Sequence, residues 1–338
     1  MSAATRSPNS FWIAVASVAA LFVGACGHDD ARPNTAVNAS SPAATVAPAQ
    51  IVIPPSDAAP PAAQTGGFDG AKAYDQVAKL VAFGPHPPAS DGIRAVQQYI
   101  RSQLESFGCA VDEDDFNAQT DMGTLAMKNI VAKIPGTGQG IILLLTHYDT
   151  KRVDNFVGAE DGGSSTGLML EMARVLCGRP KQANAVWIAF LDGEETQAHF
   201  DWMDSDSVYG SREMAARLAL SGDAKRVRAV ILADMVGQKN LIITRDSEST
   251  KWLTDLIWRT AGSLGYKDVF VSQEAFNGDD HEPFLKRGIP AVDIIDLQDY
   301  INLGYWHTAQ DTLDKISPRS LAIVGHVILE TVNQLQKR

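Results

Sequence analysis

Apolar residues along the chain follow two alternating patterns, one typical of amphipathic helices and one typical of buried strands. Apolar side chains that return every three or four residues indicate helices at 71–82, 91–107, 165–176, 211–220 and 249–264. Apolar runs or strict alternation indicate strands at 127–134, 141–145, 185–191, 228–232 and 291–295. Ser317 before Pro318 predicts the start of a last helix, which continues to about residue 336. Because strands and helices alternate, we expect a mostly parallel sheet with helices on both faces.

The N-terminus has the pattern of a bacterial export signal. Arg6 precedes a short apolar run at 11–25. At about 1.5 Å per residue this run falls short of a bilayer core of about 30 Å, which favours a signal peptide over a spanning helix. The run ends in small residues before Cys26 and resembles a lipobox, in which the cysteine is lipidated and becomes the new N-terminus. A plain secretory signal with a chance cysteine is the alternative.

The sequence therefore predicts three segments. After the signal, the chain is rich in Ala and Pro, and it has too few bulky apolar residues to offset the entropy of ordering. The predicted segments are a lipoprotein signal peptide at 1–26, a disordered tether at 27–66 and a catalytic domain at 67–338. We expect an exported lipoprotein, anchored to the membrane and facing the periplasm or the cell exterior.

Composition narrows the class of partner. Apolar residues make up 45% of the chain, and 29 Lys and Arg against 40 Asp and Glu give a formal charge of −11. This charge argues against nucleic acid, and against a membrane contact other than the lipid anchor. It suits cationic substrates such as peptides with a free amino terminus, or it aids solubility alone. Cys109 and Cys177 either form one disulfide or remain two buried thiols.

Acids and histidines recur where the predicted strands end. The clusters are His147-Tyr148-Asp149, Asp161-Gly162-Gly163, Asp192-Gly193-Glu194-Glu195, Asp234, Asp279-Asp280-His281 and Trp306-His307-Thr308. Ligands of such sheets gather at the carboxyl ends of the strands, so we expect these side chains to meet. Zinc binds imidazole and carboxylate donors and keeps one position open in catalytic sites. Asp161, Glu195 and His307 supply such a set, and the neighbouring Glu194 can act as acid and base.

The order of these clusters resembles the zinc aminopeptidase and glutaminyl cyclase family, over residues 74–335. Several segments are similar to the cyclase branch: HYDTK at 147–151 to HYDSK, VGAED at 157–161 to VGATD, DSVYGSR at 206–212 to DSLYGSR, DDHEPFL at 279–285 to DDHIPFL, and WHT at 306–308. The resemblance implies a three-layer α/β/α sandwich around a mixed, mainly parallel sheet of about six strands. It also implies one zinc ion per chain, and we expect a monomer.

By the same resemblance, roles are carried to single residues. Zinc is held by Asp161, Glu195 and His307, with Glu194 as proton shuttle and Asp234 and Asp279 assisting. Trp202 and Trp306 line the substrate pocket. His147 and Asp149 are expected to orient the ligands rather than to bind metal.

Two positions depart from the cyclase pattern. The cyclase histidine that hydrogen-bonds the counterpart of Asp279 falls at Asp293, so two close acids would share a proton or find another partner. The cysteine pair of the animal active site falls at Thr146 and Thr166.

The sequence thus predicts a glutaminyl-peptide cyclotransferase, which converts N-terminal glutamine of peptides and proteins to pyroglutamate and releases ammonia. One alternative is a di-zinc aminopeptidase, because His147, Asp161, Asp234, Glu195 and His307 provide donors for a second metal. Another is a non-catalytic lipoprotein that binds peptides. An intact Glu194 beside a full ligand set argues against the latter.

Overall fold

The computed structural model describes residues 55–338. The signal peptide at 1–26, the lipobox cysteine and the tether as far as residue 54 lie outside the described residues. The helices are α1 Gly70–Val81, α2 Asp91–Ser106, α3 Gly163–Cys177, α4 Tyr209–Ser221, α5 Lys251–Ser263, α6 Glu282–Leu285, α7 Leu297–Asn302 and α8 Pro318–Leu335. The strands are β1 Ala110–Thr120, β2 Gly123–Ile134, β3 Ile141–His147, β4 Ala185–Leu191, β5 Val227–Asp234, β6 Ile243–Asp246, β7 Phe270–Ala275 and β8 Ala291–Ile295.

Six strands form the central sheet, in the order β1-β2-β4-β3-β5-β8. The ladders β3–β4, β3–β5 and β5–β8 are parallel, whereas β1–β2 and β2–β4 are antiparallel. β6 and β7 form a separate parallel pair. The predicted mixed, mainly parallel six-stranded sheet is confirmed. Its parallel half brings the carboxyl ends of β3, β4, β5 and β8 to one edge.

Alternation along β3 explains the three layers, because successive side chains of a strand point to opposite faces. Ile142 and Leu144 pack into a core with α1, α2, α3, α5 and α8. Ile141, Leu143 and Leu145 pack into a second core with α4 and α6. All of β3 is buried, which is why its sequence is a continuous apolar run.

Most predicted elements are present, with bounds shifted by a few residues. Strands β4 and β8 begin and end where predicted, and Ser317 accepts a hydrogen bond from the Ser320 backbone at the start of α8. Strand β1 was not predicted, because its acidic sequence lies at the sheet edge and is mostly exposed. Short 3₁₀ turns at Pro55–Asp57 and Ala62–Gln64 precede α1, so described structure begins before the expected domain start at residue 67.

Cys109 and Cys177 form a disulfide between the ends of α2 and α3, with Cα atoms 5.4 Å apart. Of the two possibilities left open by the sequence, the structure has the bridge. No helix within 55–338 is long and apolar enough to cross a membrane.

Candidate metal centre and active site

The three predicted zinc ligands come together from distant parts of the chain. Asp161 lies just before α3, Glu195 follows β4, and His307 lies in the loop after α7. His307 Nε2 is 3.3 Å from Asp161 Oδ2 and 3.3 Å from Glu195 Oε2. Ligands about 2.0–2.1 Å from a tetrahedral zinc are about 3.3–3.4 Å apart, so these spacings match two edges of such a site.

The three side chains are buried, and one oxygen of each carboxylate lacks a hydrogen-bond donor among the described residues, as expected of metal ligands. The three residues are at most 5% exposed. Within residues 55–338, Asp161 Oδ2 and Glu195 Oε1 receive no hydrogen bond. Burial alone would raise the pKa of Asp161, but the His147 and His307 imidazoles, each 3.3 Å from one of its oxygens, outweigh burial and lower that pKa. Two carboxylates and one imidazole therefore fit a zinc ion.

His147, at the end of β3, contacts a second set of acids. Its Nε2 lies 3.3 Å from Asp161 Oδ1 and 3.2 Å from Asp234 Oδ1, at the end of β5. Burial would lower the pKa of His147, but Asp234, Asp149 and Asp161 together raise it well above its ordinary value. His147, Asp161 and Asp234 thus form a second possible donor group, with Asp161 shared between the two.

Asp149 links His147 to the two glutamates. Its Oδ1 is 3.5 Å from His147 Nδ1 and accepts the Glu194 backbone N–H at 3.1 Å. Its Oδ2 accepts the Glu195 backbone N–H at 3.4 Å. One buried carboxylate therefore orients the imidazole and fixes the backbone of the predicted zinc ligand Glu195 and of the predicted proton shuttle Glu194.

Glu194 is poised for proton transfer by its surroundings. Burial raises the pKa of its carboxyl well above the ordinary value; His147 opposes the rise, whereas Glu195, Asp279 and Asp280 reinforce it. A general acid and base works best with a pKa near the working pH, and a glutamate reaches that range only when its pKa is raised.

Aromatic rings surround His307. Trp306 stacks on its imidazole with ring centroids 3.8 Å apart. Phe156 and Phe200 meet it edge-on at 5.9 and 6.0 Å. Trp202 packs instead over Gly278, next to Asp279; a Cβ at residue 278 would lie 3.1 Å from its indole nitrogen. Both predicted tryptophans are thus near site residues, but on different elements.

Four residues at the site were not predicted. Phe156 and Phe200 belong to no motif. Phe200 is 58% exposed, and the one available signal for it was that it is an apolar residue within a polar loop. Lys151 is buried with Nζ 3.4 Å from Glu195 Oε2, and its place in the HYDTK segment was the available signal. Asp311 accepts the Asp161 backbone N–H at 3.1 Å, four residues after His307.

Glycines and hydroxyls shape the backbone at the site. Gly162 has φ +76°, and a Cβ there would lie 2.8 Å from His147 Cε1. Thr166 Oγ1 donates to the His147 carbonyl at 2.7 Å, and Thr146 Oγ1 donates to Ser165 Oγ at 2.8 Å. Hydroxyl hydrogen bonds thus occupy the two positions at which the resemblance places the animal cysteine pair.

A third group of possible metal donors joins Asp121, His199 and Asp206 at the surface. Asp206 Oδ1 accepts hydrogen bonds from the Asp121 backbone and the Tyr209 hydroxyl. Its Oδ2 accepts the backbone N–H groups of Gln197 and Ala198. A carboxylate that already accepts four hydrogen bonds is a poor metal ligand, and we read this group as a structural link to the loop that carries Phe200.

The sheet topology and the donor set define a class of α/β metallopeptidase-like proteins. The model of peptidase family M28 matches residues 129–332, and the chain belongs to that family. Its relatives point to one branch. It is 30% identical over 290 residues to a glutaminyl-peptide cyclotransferase of Bothrops jararaca, over 73% of this chain and 77% of the relative.

Solved structures agree with the relatives. The glutaminyl cyclase of an Acidobacteriales bacterium is 38% identical with a TM-score of 0.76, and the match covers 86% of this chain and 99% of that one. A Zn-dependent exopeptidase from Parabacteroides distasonis is 27% identical with a TM-score of 0.72, over 78% of this chain and 98% of that one. The predicted family is therefore confirmed, and the chain is a homologue of glutaminyl cyclases.

Proposed function

We propose that this chain is a glutaminyl-peptide cyclotransferase that binds one zinc ion through Asp161, Glu195 and His307. The observation that carries the proposal is that His307 Nε2 lies 3.3 Å from both Asp161 and Glu195, beside a buried Glu194 whose pKa is raised. The homologous cyclases support the reaction. When bound, zinc would polarise the γ-carbonyl of the substrate glutamine and stabilise negative charge on its oxygen.

The chain's own residues move the protons. The α-amine of the glutamine attacks its side-chain carbonyl carbon, a C–N bond forms, and the bond to the amide nitrogen breaks. Glu194 accepts the proton that the amine loses and delivers it to the departing nitrogen, which leaves as ammonia. Asp234 accepts a hydrogen bond from the amine and orients it, and Asp279 assists near Glu194.

Because the nucleophile and the electrophile belong to one residue, the protein mainly has to hold a folded glutamine in a dry space. Trp306 and Phe156 provide apolar walls around His307, and Phe200 provides a partly exposed one. Trp202 covers the neighbouring Gly278–Asp279 turn. Peptides and proteins with an N-terminal glutamine are therefore the proposed substrates.

Activity and zinc content together test the proposal. The zinc-loaded protein is incubated with a peptide that begins with Gln, and with matched peptides that begin with Glu or Asn. We expect ammonia and a pyroglutamyl product from the Gln peptide at a rate far above the controls, with one zinc per chain. A protein that leaves the Gln peptide unchanged would contradict the proposal.

A di-zinc aminopeptidase is the second candidate. His147 Nε2 lies 3.3 Å from Asp161 and 3.2 Å from Asp234, close to the 3.3 Å spacings of the first donor set. This geometry would suit a second zinc ion. Two zinc ions per chain, with release of free amino acids from aminoacyl arylamides, would support it. A peptide-binding lipoprotein without activity would bind the Gln peptide and convert none of it.

We also propose that the chain is exported and anchored through lipid on Cys26, as a monomer. The disulfide between Cys109 and Cys177 supports an oxidising compartment. Cys26→Ser should move the protein from the membrane fraction to the soluble fraction in a bacterial host. An unchanged membrane fraction would contradict a lipid anchor on Cys26. Sedimentation of the purified domain tests the oligomeric state, and we expect the mass of a monomer.

A further inference from the structure

Asp293 is a buried acid without a visible partner. It lies on β8, its side chain is 0% exposed, and neither of its carboxyl oxygens receives a hydrogen bond from residues 55–338. Asp279 is 2% exposed; its Oδ1 accepts the Asp280 backbone N–H at 2.5 Å, and its Oδ2 has no donor within the same residues. Orphaned buried carboxylates are costly, so this pair needs an explanation.

Strand alternation places the acids on one face of the sheet. Ala291 and Leu232 pack into the core on the α4 and α6 side. Two residues further along each strand, Asp293 and Asp234 therefore face the same side. The turn that carries Asp279 leads into α6, which packs on that face.

Among the described residues, the charged groups with the largest effects on Asp293 include no cation. The strongest charge effects on it come from Asp246 on β6, Asp234 on β5, Asp280 before α6 and Glu194 after β4, and all four are acids. His281 is the imidazole of this region, and its Nε2 is 3.2 Å from Asp246 Oδ2. Ser249 Oγ also donates to that same carboxylate and accepts the Asp293 backbone N–H, so His281 and Ser249 donate to Asp246 and not to the Asp293 carboxyl.

Burial together with acidic neighbours disfavours ionisation. Burial raises the pKa of Asp279, and Asp293 raises it further, more than any other charge does. Burial and the acids named above likewise raise the pKa of Asp293 well above its usual range. Two carboxyl groups in one such environment share a proton rather than both ionise.

We propose that Asp293 is kept as a neutral carboxylic acid that donates a hydrogen bond to the Asp279 carboxylate and so positions Asp279 beside Glu194. Asp293 is then a positioning residue, because it acts through Asp279 and does not touch substrate. Its effect on turnover rests on the proposed function, whereas its protonation does not.

Two substitutions separate the hydrogen bond from the charge. Asp293→Asn keeps the shape and a donor, and Asp293→Leu removes the donor. We expect kcat of the Asn variant within about threefold of the parent and kcat of the Leu variant lower by about 10–100-fold, the usual cost of losing an orienting partner. An Asn variant as impaired as a folded Leu variant would overturn the proposal.

The pH profile gives a readout that a merely structural role would not move. In the parent, loss of the shared proton at alkaline pH removes the donor and lowers kcat. The Asn donor cannot be lost, so the alkaline fall should move to higher pH in Asp293→Asn. An unchanged alkaline limb would count against a proton held by Asp293.

Thermal unfolding tests the protonation independently of activity. Because the pKa of Asp293 is raised in the folded state, its protonated form stabilises the fold. This contribution is complete below the pKa of the unfolded state, near 4, and is lost as the pH rises toward the pKa of the folded state. The melting temperature of zinc-loaded Asp293→Asn, relative to that of the zinc-loaded parent, should therefore rise by at least about 2 °C between pH 5 and pH 8.

The control is Asp154→Asn at an exposed position, and the pH dependence of the Asp293→Asn difference is compared with that of this variant. A flat difference for Asp293→Asn would overturn the proposal, as would a further divalent cation that this variant loses. If the melting shift appears but the Gln peptide is not converted, the neutral acid stands and the proposed function fails.

Discussion

Two groups of buried carboxyls lie at the same edge of the sheet, and they differ in what offsets the cost of burying carboxylates. In the first, Asp161 and Glu195 face His307, and Lys151 Nζ lies 3.4 Å from Glu195. In the second, Asp279 and Asp293 have unpartnered oxygens and acidic neighbours. The first group has cationic partners and the donors of a metal site, whereas we propose that the second holds a proton.

Glu194 lies at the boundary of the two groups, and its chemistry depends on both. His147, from the metal side, lowers the pKa of Glu194, while Asp279 and Asp280 raise it on top of the rise caused by burial. An acid placed between a cationic and an acidic region can both take and return a proton. The different surroundings of the two adjacent glutamates therefore fit their proposed roles as ligand and as shuttle.

Removal of a proposed zinc ligand should have the largest effect, because the first group would then lose its bound cation. We expect His307→Ala to lower kcat/KM by about 10³-fold or more, since a bound metal contributes several kcal/mol to the transition state. Zinc content after dialysis should fall in parallel. His326→Ala in α8 is the matched control, with zinc and activity retained. A His307→Ala protein with full zinc content and full activity would contradict the assignment of His307 as a zinc ligand.

Glu194→Gln should have the next largest effect, because it removes proton transfer and leaves the ligands in place. Loss of a general acid and base costs about 10²–10⁴-fold in rate. We expect that fall in kcat with zinc still bound, measured by ammonia release and by metal analysis. Glu213→Gln on the surface of α4 serves as control. Normal turnover by Glu194→Gln would remove the proposed shuttle.

Asp149→Asn should have a smaller effect, because it alters the support of the first group and not its donors. The substitution weakens acceptance of the Glu194 and Glu195 backbone N–H groups and the contact with His147. Loss of such support costs about 10–100-fold in activity or metal affinity. Isothermal titration of zinc and steady-state rates measure the two separately. No change in either would assign Asp149 to the fold alone.

The fold could be predicted largely because burial leaves a strong mark on the sequence. β3 is buried throughout and β4 at every residue but Trp187, so both are apolar runs, and α8 begins with a serine cap and proline. β1 escaped prediction because its residues are stabilised by pairing with β2 and not by burial. A strand at the sheet edge needs no apolar pattern, so its sequence carried little signal.

Site residues that belong to sequence motifs could be predicted, whereas residues that only loop geometry brings to the site could not. The ligand trio and Glu194 follow strands or belong to motifs, whereas Phe156 and Phe200 reach His307 only through loop geometry. The number of zinc ions was not predictable, because each donor group combines two carboxylates with one imidazole. The sequence also placed Asp293 near Asp279 by resemblance, but only the structure gives the absence of donors to Asp293 among residues 55–338.

The pH dependence of zinc binding gives the finest test of how the first group differs from the second. Burial alone would lower the pKa of His307, but Glu195 and Asp161 outweigh it and raise that pKa to about 9 in the metal-free protein. Protonated His307 stabilises the metal-free fold fully below its unfolded value near 6.5, and that contribution is lost as pH rises through about 9. Zinc must displace the same proton, so its affinity should rise about tenfold per pH unit between pH 6.5 and pH 9. Chelator competition at several pH values measures the slope, and His326→Gln should leave it unchanged. A slope near zero would mean that His307 holds no proton there and that the two groups differ less than proposed.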